Sequence, residues 1–273
     1  MGLALAGFGC NANPKLTPVT LDITDVKPAV DYSRLAKVLN RVVTEKGEVD
    51  TFRMDEEYSS LLKDQLKLFA VTGPVVTPEL FSTPAERLAY WYNARAAWSI
   101  ELGMMQVKSD AGKPVSAKDY TYRELSRKFP LDGRLMTLAD IDLVLHDNGE
   151  KGFYKVVAAP GILLNRATLP RKPFDPKTIK KEICERVNTF VNSSVRFVID
   201  YEKQQILFPP VLWEYRNTII GFYRKAYNIP NVYISLTTAM LGHITGPGRY
   251  RLQLAIGYKC VENTRRVKMA VVE

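Results

Sequence analysis

Ser82-Thr83-Pro84-Ala85-Glu86-Arg87-Leu88-Ala89-Tyr90-Trp91-Tyr92-Asn93-Ala94-Arg95-Ala96-Ala97-Trp98 reads as a helix whose start, direction and phase are all set locally. Thr83 and Glu86 have the spacing of a reciprocal capping box, and Pro84 suits the first helical position, where no amide hydrogen is needed. Leu88, Trp91, Arg95, Trp98 and Leu102 then recur at intervals of three and four, which puts them on one face of a helix closing near Gly103. The guanidinium of Arg95 in that apolar stripe must be paired, hydrated in a cleft, or extended outward along its own stem, because an unpaired buried charge is very costly. Trp91, Asn93 and Arg95 are therefore the candidate ligand-binding residues. The alternatives are that Trp91, Trp98 and Tyr90 are core, and that the Asn93 amide joins two chain segments.

N-terminal to this helix, Tyr32, Leu35, Val38, Leu39 and Val42 have helical spacing up to Gly47, and a second helix runs from Asp55 to Phe69. Residues 11 to 30, with Pro14, Pro18 and Pro28, read as an extended tether or covering arm, with order expected from Asp31. The first ten residues, apolar and small up to Cys10, resemble the end of an export signal and a lipoprotein cleavage site, with Cys10 as the lipid-bearing residue; the alternative is an irregular start with an incidental cysteine.

C-terminal to it, residues 107 to 134 are irregular, with a turn at Asp132-Gly133 and a short helix over Tyr122 to Phe129. Thr137 and Asp140 cap a helix through Ile141, Val144 and Leu145. Phe153 to Ala158 is a candidate strand, and Asp175-Pro176 opens a helix bearing Ile179, Ile183, Val187 and Phe190. Val195 to Asp200 and Gln205 to Phe208 alternate as a hairpin, and helices follow around Trp213 to Tyr227 and Val232 to Leu241. Arg249 to Lys259 and Arg265 to Val272 read as terminal strands. Helices early and strands late give an α+β fold, a helix-rich single domain over residues 31 to 273 with a small, mainly antiparallel sheet built largely by the C-terminal half.

Several blocks resemble the family catalogued as domain of unknown function 547. Tyr90-Trp91-Tyr92-Asn93-Ala94 is similar to its Tyr-Trp-x-Asn-Ala signature, and Gly47-Glu48-Val49-Asp50 to its early Gly-x-Val-Asp turn. Thr137-Leu138-Ala139-Asp140-Ile141-Asp142 resembles its Thr-Leu-x-Asp-Ile-Glu helix start, Trp213 the tryptophan of its late helix, and Tyr258 with Asn263 its closing segment. The departures concern chemistry. Where the family carries a cysteine-containing stretch, this chain reads Ala158-Ala159-Pro160-Gly161-Ile162-Leu163-Leu164-Asn165-Arg166-Ala167-Thr168-Leu169-Pro170, without a thiol. Arg95 stands in place of a tyrosine, Ala96 of an asparagine, and Lys259-Cys260 of an Asp-Trp pair. The resemblance thus implies a divergent member in which thiol chemistry from that loop is lost or changed.

Composition bounds the function. The chain has 273 residues, 46% of them hydrophobic and 25% charged, which excludes low-complexity and wholly disordered classes. A net charge of +9 favours anionic partners, among them acidic envelope polymers and membrane headgroups. The excess is densest from Lys151 to Phe190, where nine Lys or Arg meet three acidic residues, and the plain reading of that run is a solvated face. Nothing resembles a zinc finger, a glycine-rich RNA-binding signature or a basic region leading into heptads, so nucleic acid is not an expected partner.

No phosphate loop, dinucleotide fingerprint or nucleophile elbow is present, and with only His146 and His243 no metal-ligand spacing arises; neither cofactor nor metal is expected. Asp142 and His146 stand four apart on one helix, as a carboxylate orienting a general base or as a surface ion pair. Cys184 and Cys260 are the candidate nucleophiles for an acyl or amide transfer or hydrolysis with His146 or His243 as base; for Cys184, inert packing is the competing role. The sequence therefore supports an exported binding protein for a polar or anionic ligand beside the Trp91 and Arg95 helix, with a Cys/His hydrolase or transferase and a structural envelope protein as alternatives.

Overall fold

The computed structural model describes residues 16–109, 125–147, 152–162, 166–193, 197–230, 232–242, 244–263 and 271–272. The expected leader with Cys10, the first residues of the helix expected over Tyr122 to Phe129, and most of the last expected strand lie outside them; within the described residues that expected helix is limited to residues 125–126, and Phe129 already belongs to a strand. The fold is the expected helix-rich α+β arrangement.

Helix α1 (Ser33–Val42) buries Leu35, Val38, Leu39 and Val42 against α2 (Glu56–Val71), whose N-cap Asp55 accepts from the Tyr58 amide. Between them lies the short strand β1 (Val49–Asp50). The long helix α3 (Pro84–Ser109) begins as the capping box requires, with the Thr83 amide 2.8 Å from Glu86 Oε2 and the Glu86 amide 3.2 Å from Thr83 Oγ1. It runs beyond Gly103, and every residue from Ala89 to Ile100 is buried, so the apolar stripe is one side of a helix enclosed all round. Tyr90 packs edge-on against Phe69 and Phe81, while Trp98 stacks on Phe129 at 4.2 Å.

Strands β2 (Phe129–Leu131) and β3 (Arg134–Met136) form a hairpin in the stretch expected to be irregular. Asp132 and Gly133 both take positive φ, which fits a tight two-residue turn matched to strand twist. The Asp132 carboxylate accepts from the Val75 and Val76 amides, tying this turn to the loop after α2, and burial raises its pKa against those donors.

Helix α4 (Leu138–Asp147) carries the Thr137–Asp140 cap. Residues 152–158 form helix α5 (Gly152–Ala158), which corrects the strand expected there: a short apolar run between breakers has no period to distinguish the two. Helix α6 (Ile179–Asn192) follows the proline-rich connection. Strands β4 (Val198–Asp200) and β5 (Gln205–Phe208) pair as the expected hairpin, with Asp200 opposite Gln205. Next come α7 (Pro210–Glu214), α8 (Arg216–Tyr227) and α9 (Leu236–Leu241).

The expected strand from Arg249 is instead α10 (Gly246–Leu254), opened by Thr245 and Pro247. Its alternation of Tyr250, Leu252 and Leu254 misled because only Leu252 is buried. Strand β6 (Lys259–Glu262) runs parallel to β5, and β7 (Val271–Val272) parallel to β1, so among the described residues the strands form three small groups, two of them with parallel pairs. The arm before α1 lies on the body: the Val19 amide donates to Lys128 O at 2.8 Å, and the Ala29 amide to Thr72 Oγ1 at 3.0 Å.

Candidate functional site

Arg95 is fully buried, and its charge is met from inside. Its Nε donates to Asp142 Oδ1 at 2.8 Å and its Nη2 to Asp142 Oδ2 at 3.2 Å, a bidentate pair joining α3 to α4. Arg95 Nη1 donates to the Pro160 carbonyl and lies 3.4 Å from Ser99 Oγ. Arg166 Nη2 lies 3.0 Å from Asp142 Oδ2, the oxygen that also accepts from Arg95 Nη2, so one carboxylate serves two guanidinium groups. Burial pushes the Asp142 pKa up, but the charges and hydrogen bonds of Arg166 and Arg95 outweigh it, and the group is held below its usual value.

The loop wraps this cluster closely enough that a Cβ on Gly161 would meet Arg166 Cβ at 2.8 Å and Arg95 Nη1 at 3.3 Å. Arg95 is thus a structural residue joining α3, α4 and the loop after α5, and the ligand role expected of it is corrected. Asp142 likewise does not orient His146; the imidazole stacks on Tyr215 at 5.1 Å, with Nδ1 3.4 Å from Asp147 Oδ1. Arg166 went unrecognised because it is remote in sequence from both partners.

Asn93 is also internal. Its Nδ2 donates to Phe174 O at 3.1 Å and its Oδ1 accepts from the Phe174 amide at 2.7 Å, so the side-chain amide completes both hydrogen-bonding positions of one distant residue. This is the segment-joining role, and the side chain is fully buried and not part of the groove lining. Tyr92 does the same for α5, its hydroxyl 2.6 Å from Lys155 O.

Trp91, by contrast, borders a cleft. The first turns of α3, with Leu88 and Trp91, and Ile179, Ile183 and Val187 of α6 line a groove of about 980 Å³, with Phe222 of α8 and Val75 of the loop after α2 also in its walls. The size falls within the range of small-molecule sites, and the walls are mainly apolar. Among the described residues that line it, every charged side chain is a cation: Arg87, Arg134, Lys155 and Lys180. Partial burial lowers the Lys155 pKa, and burial raises that of the neighbouring Tyr154. Lys155 and Lys180 belong to the basic run read as a solvated face, and that run was the available signal. Arg87 and Arg134 carried no sequence signal pointing to a site.

The cysteine candidates separate. Cys184 is exposed on α6 and lines the groove, so it is not inert packing. Cys260 is half-buried on β6, its Sγ 3.2 Å from Thr237 Oγ1. His243 and Cys10 lie outside the described residues. Among the described residues no cluster of three or more His, Cys, Asp or Glu side chains is placed to hold a metal, and no helix is long and apolar enough to cross a membrane. No protein-family model, curated protein or solved structure matches this chain.

Proposed function

We propose that this chain is a binding protein for an elongated apolar molecule with an anionic head, held in the groove between α3 and α6 with Trp91 in its wall. The observation that carries this reading is the combination of apolar walls with a set of charged lining residues that is wholly cationic. Apolar walls favour a hydrocarbon body at roughly 25 cal/mol per Å² removed from water. The rim cations then select its head by charge and lie where water still reaches the groove. Arg95 contributes by holding α3 in place from behind.

Titration with parinaric acid, a fluorescent long-chain carboxylate, tests the proposal. Saturable enhancement is expected, reversed by palmitate and only weakly by the uncharged alcohol of equal chain length. Equal displacement by acid and alcohol, or no saturation at all, counts against it.

A second reading, thiol chemistry, is favoured by the place of Cys184 in the same groove beside Lys155 and Lys180. Kinship with the domain of unknown function 547 family is part of the proposal and rests on the ordered sequence blocks. On that kinship, Pro160 and Arg166 of the buried cluster stand in the place of the family's cysteine stretch, and Arg95 in that of a tyrosine. Export, with lipid attachment at Cys10, rests on the leader-like first residues; mass measurement of the N-terminal peptide from a bacterial host tests it.

A further inference from the structure

Residues 215 to 261 contain Arg216, Arg224, Lys225, Arg249, Arg251 and Lys259 and no aspartate or glutamate, in a chain with 29 acidic residues among 273. This acid-free stretch forms α8, α9, α10 and their connections, and contributes Phe222, Gly242 and Thr245 to the groove.

Its surface is apolar and aromatic as well as basic. Helix α8 ends at Asn228 in the left-handed conformation, and the Arg224 guanidinium donates to the Val232 carbonyl, tying the following loop to the helix end. Tyr227, Val232 and Tyr233 are 61%, 52% and 92% exposed there, beside an exposed Lys225. Tyr227 packs on Tyr223 at 4.6 Å, and its hydroxyl would lie 3.6 Å from a Cβ on Gly242, so this patch adjoins the groove. Elsewhere in the same acid-free stretch, α10 exposes Arg249, Tyr250 and Leu254.

Exposed tyrosines and aliphatics beside cations, with no carboxylate among them, match the chemistry of an anionic lipid surface. Tyrosine rings are stable at headgroup level, and each Lys or Arg near such a surface adds favourable electrostatic free energy. Nucleic acid fits less well, because Val232 and Leu254 meet neither phosphate nor a stacking base face.

We infer that the face formed by the end of α8 and the loop after it docks on an anionic phospholipid bilayer, with Tyr227, Val232 and Tyr233 at headgroup level. The groove beside Gly242 then lies next to the membrane. Docking stands without the groove reading; only the passage of an amphiphile between bilayer and groove rests on it.

The test is co-sedimentation of the full chain with vesicles of phosphatidylcholine alone, or of phosphatidylcholine and phosphatidylglycerol in equal parts. Sedimentation is expected with the anionic vesicles only, weakening as salt rises. The double variant Lys225→Glu, Tyr233→Ser is expected to bind them at least about five-fold more weakly. It should retain its circular dichroism and its response to parinaric acid, which reads the groove separately. Lys37→Glu on α1, an equal change of charge, is expected to bind as the parent does. Absence of binding to anionic vesicles at low salt overturns the inference, as does undiminished binding by the double variant or an equal loss in Lys37→Glu. Binding to a single-stranded oligonucleotide in place of vesicles overturns it as well.

Discussion

Arg95 Nε on α3 and Asp142 Oδ1 on α4 lie 2.8 Å apart with both side chains almost wholly removed from solvent, and Arg166 shares the same carboxylate. Removing the carboxylate takes the shared acceptor from two buried guanidinium groups at once, whereas removing Arg95 leaves Asp142 paired with Arg166. Asp142→Ala is therefore expected to cost about 3 to 5 kcal/mol and Arg95→Met less, because one substitution breaks two buried charge pairs and the other only one. Urea unfolding of both variants and of the double variant checks this; equal single losses would contradict the shared-carboxylate arrangement.

The depressed pKa of Asp142 sets the sign of an acid effect. A carboxyl whose folded value lies below its usual 3.8 contributes stability that is complete above that value and is lost as pH falls through the folded value. Acid unfolding midpoints of the parent should fall steeply below 3.8, and the Asp142→Asn variant, less stable at neutral pH, should show a flatter acid limb. Parallel limbs would show that the triad does not govern acid stability.

Asn93→Ala removes two hydrogen bonds and leaves the Phe174 amide and carbonyl buried without their partner. A loss of about 2 to 4 kcal/mol is expected in thermal or urea unfolding. Because the side chain does not face the groove, a folded Asn93 variant should keep its parinaric acid affinity.

Gly47 has φ +76°, and a Cβ there would meet Thr168 Cβ at 2.4 Å in the segment that leads from the Arg166 loop. Gly47→Ala should thus destabilise by more than about 1 kcal/mol, from both strain and overlap. The Leu169 amide, which donates to Gly47 O at 3.2 Å, should exchange faster with solvent.

Cys184 in the groove and Cys260 beside Thr237 should label at different rates. In a Cys10→Ser background, peptide mapping after maleimide treatment is expected to show Cys184 modified first, with saturating palmitate slowing it. Palmitate protection of Cys260 alone would move the binding site away from the groove.

Local signals were legible where the chain itself supplies the partner. The caps at Thr83 and Thr137 and the hairpin at Gln205 each satisfy their hydrogen bonds within a few residues, so spacing suffices to read them. Segment 152–158 is a short apolar run with no dominant period, and 246–254 alternates apolar and polar residues without burying the alternating set; in both, packing against neighbours and not the local pattern decides for helix. The groove was barely visible. Its cations come from four separate segments, and only Lys155 and Lys180 fall in the basic run.

The sequence by itself determined that α3 exists, where it starts, and that an arginine inside it needs a partner. It also determined the basic excess. Only the tertiary structure decided that Asp142 and Arg166 enclose Arg95, that Asn93 clasps Phe174, and that Trp91 alone of the three faces a cleft. The physical reason is distance along the chain: Arg95 and Asp142 are separated by 47 residues and Asn93 and Phe174 by 81, so their pairing is set by how helices pack and has no local spacing to announce it.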